Sequence, residues 1–253
     1  MIPKSFQALG EICLVKTKDR KIAKEILQKH SRFRSVYYSG KISGSKRVPN
    51  VQWLAGQKKT ITVVRENGCD FVLDISKIMF SKGNQEEKRQ IVKQIKKTED
   101  VLDMFAGIGY FTIPMAKLTL ANVWAIDINP NSIDFLKQNL KLNKVEDKVV
   151  VIQGDSNIEA LAIGKKFDRV HMGYFDIHSK SGTYTFLPTA LNVCKKNGVI
   201  HFHEVAEKIE TIEEQIRIIS KQEKVKIKVL NKRKVKAYGI RKWHWVLDLK
   251  TNS

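Results

Sequence analysis

In the second part of the chain, short apolar runs alternate with longer amphipathic stretches. The apolar runs VLDMF, NVWAID, KVVVIQGD, FDRVHMGY and GVIHFHEV fit buried strands. The stretches between them, such as NPNSIDFLKQNLKLN, place apolar residues at the helical period. Asn129 and Pro130 fit the N-cap and first position of a helix, and Gly198 is expected to follow a helix that ends in Lys195 and Lys196. This alternation predicts parallel strands joined by crossover helices.

The chain ends with two further strand-like runs, KVKIKVLNKRKV and WHWVLDLK. In the first run Val225, Ile227 and Val229 alternate with lysines, which predicts a strand with one buried and one cationic face. Two late strands after a series of strand–helix units are typical of the antiparallel edge of the class I methyltransferase-like fold. We therefore expect an α/β, Rossmann-like catalytic domain of this class over residues 77–253.

The first part of the chain predicts a small α+β domain over residues 1–76. Strand-like runs GEICLVK, VYYSG, VQWLAG, TITVVRENG and CDFVLDI accompany one helical segment, DRKIAKEILQKH, whose expected N-cap is Asp19.

After this domain, a second helix is predicted from SKGNQEEKRQIVKQIKK. Asn84 is its expected cap, and Glu87 is placed to return the bond in a capping box.

The charge of the chain indicates a polyanionic partner. The sequence has 46 Lys plus Arg against 26 Asp plus Glu, a formal net charge of +20, whereas small soluble domains need only about 2 to 8 net charges. Nucleic acid fits such a surplus, because each neutralised phosphate releases counterions. The alternative is a well-solvated surface. Basic residues in the first 76 positions, such as Lys16 and Arg32, either follow a phosphate backbone or face water.

Other features of the sequence limit the class of protein. No uncharged run approaches the roughly 18 apolar residues of a membrane span, and the start lacks the apolar stretch of a signal peptide. We expect a cytoplasmic protein without a membrane partner. Cys13, Cys69 and Cys194 are far apart and lack CxxC spacing, so buried apolar positions are expected. His201 and His203 share one strand face without a third ligand, and we expect no metal site.

The stretch VLDMFAGIGYFTIPMAK contains a glycine turn directly after a predicted strand. Gly107 and Gly109 there allow three interpretations. A dinucleotide-binding turn needs a third glycine three residues later, but that position is Thr112. A turn for S-adenosylmethionine fits better, because the backbone can approach the donor while Asp103 reaches its ammonium directly or through water. An ordinary tight turn is the third possibility.

Carboxylates at three strand ends favour the S-adenosylmethionine interpretation. Asp127 closes NVWAID, where an acidic side chain can accept both ribose hydroxyls, and Asp155 closes VVVIQGD, where it can accept from an adenine amino group. A single aspartate after a strand is usually a helix cap or turn former. With Asp103, three aspartates lie at the edge where open α/β sheets bind ligands. Caps and turns alone do not readily explain all three.

These motifs resemble an RNA-modifying family. DMFAGIGYFTIPMAK, AIDINPNSIDFLKQN and MFSKGN with Glu87 are similar to the family of tRNA guanine-N1 methyltransferases and wybutosine-pathway aminocarboxypropyltransferases. The resemblance covers about residues 65–250. Tyr110 stands where the methyltransferases have proline, and Met172-Gly173-Tyr174 where they have Asn-Leu-Pro or Asn-Pro-Pro. Together with the FSKGN loop, these differences favour the aminocarboxypropyl branch.

The motif match suggests roles for individual residues. Ser81 and Lys88 are expected to hold the methionine end of the donor, Lys88 by pairing with its carboxylate; an exposed helix position is the alternative for Lys88. Tyr174 is a candidate to stack on the acceptor base, since stacking contributes about 1–3 kcal/mol per base. Asp176 and His178, in the loop after the fourth strand, are candidates to take the proton lost at a carbon acceptor.

Further candidate residues complete the site. Glu87 matches a position that serves proton transfer in the methyltransferases, although a capping box explains it as well. Residues at or near the ends of the predicted strands complete the candidate donor contacts: Phe105, Ile128, Ser156, Met172 and Gly173.

The resemblance implies transfer of the 3-amino-3-carboxypropyl group of S-adenosylmethionine. The acceptor would be C7 of 4-demethylwyosine at position 37, in the anticodon loop of tRNA(Phe), and the by-product methylthioadenosine. A sulfonium activates all three attached carbons, so the carbon that is held in line with the nucleophile decides the product. The alternatives are a tRNA guanine-N1 methyltransferase and a non-catalytic RNA-binding protein. We expect a monomer.

Overall fold

Strands near the start of the chain form a small sheet in this computed structural model, which describes residues 6–41, 49–80, 85–175 and 184–252. The elements are β1 (Gln7–Leu9), β2 (Ile12–Val15), α1 (Arg20–Lys29), β3 (Ser35–Ser39) and β4 (Val51–Gly56). The strand order is β1-β2-β3-β4, and β2 is parallel to β3. Asp19 caps α1 as predicted, because its carboxylate accepts the backbone N–H of Lys21 at 2.7 Å.

A two-stranded hairpin follows, and it forms a sheet of its own. It consists of β5 (Ile61–Glu66) and β6 (Cys69–Asp74). The turn residues Asn67 and Gly68 have φ of +50° and +75°, as a type I′ turn requires, and Asn-Gly is a preferred pair for that turn. The helix α2 (Gln85–Gln94) comes next, and its predicted cap, Asn84, lies outside the described residues.

The large sheet has seven strands. Its elements are β7 (Asp100–Asp103), α3 (Thr112–Thr119), β8 (Asn122–Asp127), α4 (Pro130–Asn143), β9 (Val149–Gln153), α5 (Ser156–Ala162), β10 (Phe167–Met172), α6 (Leu187–Val193), β11 (Cys194–Ala206), α7 (Ile209–Gln222), β12 (Lys226–Gly239) and β13 (Lys242–Asn252). The order is β12-β13-β11-β10-β7-β8-β9, with β7 to β11 parallel and β13 antiparallel to both neighbours. This arrangement confirms the predicted class I methyltransferase-like fold.

One predicted helix boundary is wrong, and one helix was not foreseen. Asn129 caps α4 and Pro130 occupies its first turn, as expected. However, α6 ends at Val193, and Lys195, Lys196 and Gly198 lie within β11. The strand begins early because Cys194 already pairs with Phe167 on β10, and an irregularity in that pairing accommodates the following residues. The short α5, capped by Asp155, was not predicted.

Apolar side chains pack on both faces of the large sheet. One cluster includes Leu9, Phe71, Ile91, Ile113 and Leu136. A second cluster includes Leu102, Phe167, Leu187, Ile212 and Leu249. The first cluster draws on the small sheet, the hairpin, α2, α3 and α4, so apolar contact continues across the predicted boundary at residue 76. That two-domain division stays a prediction. None of the helices in the described ranges is long and apolar enough to cross a membrane.

Two asparagine side chains on α4 bond to the backbone of β6. The amide of Asn139 accepts the N–H of Val72 at 2.7 Å and donates to the Val72 carbonyl at 3.1 Å. Asn143 does the same for Asp70, at 3.0 and 2.6 Å. Both side chains are buried, so these bonds satisfy polar groups that would be costly to bury alone. They attach the hairpin directly to α4, which packs against β8 and β9 of the large sheet.

Arg233 on β12 connects α2 to the edge of the sheet. Its Nε and one terminal nitrogen donate to the two carboxylate oxygens of Glu87 at 2.9 and 2.7 Å. The same guanidinium donates to Asp248 on β13 at 2.8 Å. Both carboxylates are buried, and a planar guanidinium is well suited to bridge them. The sequence did not reveal this partner of Glu87.

Asp248, which Arg233 bridges to Glu87, also contacts a second set of polar and charged side chains. His201 on β11 places Nδ1 2.7 Å from Asp248 and Nε2 2.8 Å from Arg169, which pairs with Glu99 at 2.7 Å. Burial lowers the pKa of His201 to about 4, although Asp248 opposes the shift. Burial alone would raise the pKa of Asp248, but donation from Arg233 and His201 outweighs it and holds that pKa well below its ordinary value. The network therefore contains a neutral histidine and a charged carboxylate at neutral pH.

Stability is expected to fall as the pH is lowered. His201 has a pKa of about 4 in the folded chain and about 6.5 when unfolded, so the unfolded chain binds the additional proton. The neutral His201 ring therefore makes its full contribution to the free energy of unfolding above about pH 6.5. This contribution, on the order of 3 kcal/mol, is lost as the pH falls towards 4. Urea unfolding between pH 7.5 and pH 4.5 measures this loss.

Replacement of the titrating ring isolates this effect. His201→Gln should unfold with a shallower dependence on pH than the parent chain over the same range, whereas His30→Gln, outside the network, should keep the parent slope. Parallel curves for the parent and His201→Gln would contradict the assignment.

Candidate active site

Loops that follow four neighbouring strands surround a cavity of about 320 Å³. Phe105 and Gly107 follow β7, Asp127 ends β8, Asp155 follows β9 and Gly173 follows β10, and all of them line the cavity. The carboxyl ends of parallel strands meet at one edge of a sheet, where open α/β folds bind ligands. The cavity is therefore at the edge where the carboxylates were expected to converge.

The glycine turn has the backbone conformation that its residues predict. Gly107 and Gly109 have φ of +57° and +99°, a region that other residues rarely adopt. A Cβ on Gly109 would lie 2.6 Å from Ile113 and 2.9 Å from Leu136. Gly109 therefore lets the turn pack against α3 and α4, while Gly107 presents its backbone to the cavity.

Asp127 combines backbone bonds with a place in the cavity wall. Its two carboxylate oxygens accept the N–H groups of Gly107 and Asn129, each at 2.8 Å. Burial raises the pKa of Asp127 above its ordinary value, although the two N–H donors lower it. A carboxylate that is partly removed from water in this way gains from further hydroxyl donors. The position fits a ligand with a vicinal diol.

The other two strand-end carboxylates have different surroundings. Asp155 lines the cavity and caps α5 by accepting the N–H of Asn157 at 2.8 Å. Asp103 is fully buried and is not part of the cavity lining. It accepts from the hydroxyl of Thr112 at 2.8 Å and lies 3.1 Å from Nδ1 of His171. Its direct partners are therefore protein groups.

Lys88 places a buried cation in the cavity wall. The side chain is 2% exposed and forms an ion pair with Glu66 of the β5–β6 hairpin. Its ammonium lies 5.2 Å from the ring centre of Tyr110 and 5.9 Å from that of Phe111. Burial lowers the pKa of Lys88, although Glu66 opposes the shift. The exposed position considered as an alternative for Lys88 is wrong.

Aromatic rings form another part of the wall. Phe105 stacks on Tyr174 with ring centres 5.0 Å apart and an interplanar angle of 25°, and Phe186 meets Phe105 edge-on at 4.9 Å. The hydroxyl of Tyr110 donates to the carbonyl of Met79 at 2.6 Å. All five residues line the cavity, which gives it flat apolar surfaces beside its charged groups.

Buried histidines lie behind the aromatic wall. The ring of His171 is 4.0 Å from that of Phe111 and 5.0 Å from that of His203, which hydrogen-bonds His244 at 3.2 Å. Burial lowers the pKa of His244 to about 3 and lowers that of His203 as well. These two rings are neutral at physiological pH. Within the described ranges, no group of three or more His, Cys, Asp or Glu side chains is arranged to hold a metal ion.

The structure brings most of the candidate residues together. Those that line the cavity are Lys88, Phe105, Gly107, Asp127, Ile128, Asp155, Ser156, Gly173 and Tyr174. Asp103, Gly109 and Met172 are buried and are not part of its lining. Ser81, Asp176 and His178 lie outside the described residues. The roles of all these residues stay predictions.

Comparison with known proteins defines the family. Residues 62–230 match the TRM5/TYW2 methyltransferase domain. The tRNA(Phe) (4-demethylwyosine(37)-C(7)) aminocarboxypropyltransferase of Methanocaldococcus jannaschii is 37% identical over 250 residues, which cover 97% of each chain. This chain belongs to the TRM5/TYW2 family.

Solved structures of TRM5/TYW2 relatives have the same fold. Pyrococcus horikoshii TYW2 in complex with MeSAdo has a TM-score of 0.82 and 32% identity, over 99% of this chain and 92% of that chain. Pyrococcus abyssi Trm5b has a TM-score of 0.84 and 33% identity, over 99% of this chain and 76% of that one. The resemblance carried by the motifs is thereby confirmed at the level of the family.

Several residues of this TRM5/TYW2 site were not found from the sequence, and three of them lie on strands far from the glycine turn. Glu66 is the partner of Lys88, and Lys236 and Tyr238 of β12 line the cavity. Each belongs to a strand that is distant in sequence from the glycine turn. The segment RENG, which covers the end of β5 and the turn after it, carried no signal beyond its turn residues. The basic residues of β12 indicated RNA, but not contact with the cavity.

Gly109→Ala is expected to destabilise the fold more than Gly68→Ala. Gly68 has φ of +75°, and no atom of the described residues outside its own turn lies within 4 Å of the point that a Cβ would occupy. Its substitution therefore costs only backbone strain, about 1–2 kcal/mol. At Gly109 the new methyl group also overlaps Ile113 and Leu136, which adds about 1–3 kcal/mol. Urea unfolding of both variants measures the difference, and equal losses would show that the turn tolerates a side chain.

Proposed function

We propose that this chain transfers the 3-amino-3-carboxypropyl group of S-adenosylmethionine to C7 of 4-demethylwyosine at position 37 of tRNA(Phe). The observation that carries the proposal is its 37% identity, over 97% of both chains, to an aminocarboxypropyltransferase of that specificity. The net charge of +20 supports a tRNA partner. We also propose that the enzyme acts as a monomer in the cytoplasm.

The cavity fits the donor at both of its polar ends. Asp127 would accept the ribose hydroxyls, and Asp155 would accept from the adenine amino group. Lys88 would pair with the carboxylate of the methionine part, together with Ser81. The fit rests on the half-buried carboxylate of Asp127 and the buried ammonium of Lys88, which the wall already holds. Each would gain a polar partner from the donor.

Lys88 is central to which carbon is transferred. Bound S-adenosylmethionine supplies a sulfonium whose three attached carbons are open to nucleophilic attack. The Glu66 contact and the Tyr110 ring hold the Lys88 ammonium in place, so the amino-acid end of the donor would be fixed rather than free. Fixing that end is a condition for presenting its γ-carbon in line with the acceptor.

The acceptor side of the site would use aromatic and acid–base groups. Tyr174 lies on the cavity wall and is already stacked on Phe105, so a flat tricyclic base could extend this stack. Asp176 and His178 follow directly in the chain and are the candidates to remove the C7 proton. Stacking would orient the base, and the carboxylate or imidazole would accept the proton.

The nucleoside by-product distinguishes the proposal from methyl transfer. With S-adenosylmethionine and tRNA(Phe) that carries 4-demethylwyosine, the protein should release methylthioadenosine, and the base should gain an aminocarboxypropyl group in place of hydrogen. Mass spectrometry of the reaction mixture and of the digested tRNA measures both products. The control is the same tRNA with unmodified guanosine at position 37, which should not react.

Other products would overturn this assignment in different ways. S-adenosylhomocysteine together with a methylated guanosine would establish the guanine-N1 methyltransferase alternative. RNA binding without any nucleoside product would favour the non-catalytic protein.

Asp127→Asn is expected to weaken donor binding at least tenfold. The amide keeps the size of the side chain but loses the charge that accepts two hydroxyls, and hydrogen bonds to a charged group contribute about 1.5–3 kcal/mol. Isothermal titration with S-adenosylmethionine measures the dissociation constant. Asp134→Asn, an exposed change on α4, is the matched control and should leave it unchanged. Equal affinities for the two variants would remove Asp127 from the donor site.

A further inference from the structure

The β12–β13 hairpin is the most basic continuous element of the chain. Residues 226–242 contain eight Lys or Arg and no Asp or Glu. The two strands pair from Lys226 with Asn252 to Gly239 with Lys242, with three irregularities in the register. Because β12 is the edge strand of the seven-stranded sheet, its outer side faces no other described strand of that sheet.

The part of this hairpin near the sheet is already held by carboxylates. Lys232 pairs with Glu213 of α7 at 2.6 Å, and Arg233 bridges Glu87 and Asp248. These bonds hold the part of the hairpin next to the sheet in a defined position. Beyond them, residues 234–245 form the part that we call the hairpin tip.

Apolar and aromatic side chains are exposed at the hairpin tip beside its cations. Ile240 is 94% exposed and Tyr238 is 42% exposed. The ammonium of Lys234 lies 3.4 Å from the ring centre of Trp243, and Arg241 and Lys242 are exposed. Exposed rings among cations are the surface that single-stranded nucleic acid requires, because bases stack while phosphates bind the charges.

The hairpin tip is continuous with the donor cavity. Lys236 and Tyr238 line that cavity, and the ring of Tyr238 meets that of Phe175 at 5.5 Å. A nucleotide at the cavity would therefore have its chain neighbours within reach of the tip. A duplex offers no free base faces to such a surface, whereas an anticodon loop does.

We propose that the hairpin tip binds the unpaired nucleotides that flank the acceptor base in the anticodon loop. Tyr238 and Ile240 contact base faces, and Arg241 and Lys242 contact the loop phosphates. The tip is thus a loop-selective RNA contact beside the reaction cavity. This inference rests on the proposed function for the identity of the RNA.

Binding of a stem-loop and of its stem alone separates loop contacts from general attraction. The probes are a fluorescent anticodon stem-loop of tRNA(Phe) and the same stem as a blunt duplex, measured by anisotropy without donor. Tyr238→Ala with Ile240→Ser should weaken stem-loop binding about tenfold, which is the scale of one lost base stack. Duplex binding should change less than twofold. The matched control is Leu230→Ser with Ile218→Ser, which alters two other exposed apolar residues and should change neither probe.

A second pair of variants tests the cations. Arg241→Ala with Lys242→Ala removes two phosphate contacts and should lower the slope of log affinity against log salt by about 1.4 for the stem-loop. Lys137→Ala with Lys141→Ala, on exposed positions of α4, should keep the parent slope. Unfolding midpoints close to the parent value would show that all variants are folded.

Two results would overturn the proposal. One is an equal loss of stem-loop and duplex binding in the tip variants, which would indicate general charge attraction. The other is parent-like stem-loop binding in the Tyr238 and Ile240 variant. These binding measurements use neither donor nor turnover. The binding result and the group-transfer result are therefore independent, and either proposal can be contradicted without the other.

Discussion

The bridge made by Arg233 between Glu87 and Asp248 is the contact on which the arrangement of the site depends. It joins α2 to the two strands at the edge of the sheet, and the residue after Glu87 on α2 is the cavity lysine. Removing one partner of such a buried set leaves an uncompensated charge, which costs several kcal/mol. The network thus defines where the helix lies more than it adds net stability.

The cavity combines opposite charges with several aromatic rings in its wall. Asp127 is held by backbone N–H groups of the glycine turn, and Lys88 is held by Glu66 and a ring. These contacts fix the orientation of both charged groups. In the proposed binding mode, a donor with a diol at one end and a carboxylate at the other would meet groups whose orientation is already set, so little ordering would be required on binding. The separation of the two charges would also set the direction in which the donor lies.

Local signals in the sequence predicted most of the fold. The alternation of runs determined the parallel strands, and Asp19 and Asn129 marked helix starts because caps are decided within a few residues. The end of α6 was misplaced because a strand pairing between Cys194 and Phe167, not the local residues, sets it. Asp127 was found because its place at a strand end is itself a local feature. Tyr238 reaches the cavity, and Glu66 reaches its lysine, from separate hairpins, which no spacing in the sequence could indicate.

Asn139 and Asn143 of α4 match the residue spacing of a helix to that of a strand. Positions four apart on a helix are about 6 Å apart along its axis, and alternate residues of a strand are about 6.6 Å apart. Asn139 and Asn143 therefore meet Val72 and Asp70 in step, as a neighbouring strand would. The helix thus fixes the register of β6, and a one-residue slip of β6 would break both contacts at once. Since β5 pairs with β6 and carries Glu66, the same contacts determine how far the Glu66 carboxylate extends towards Lys88.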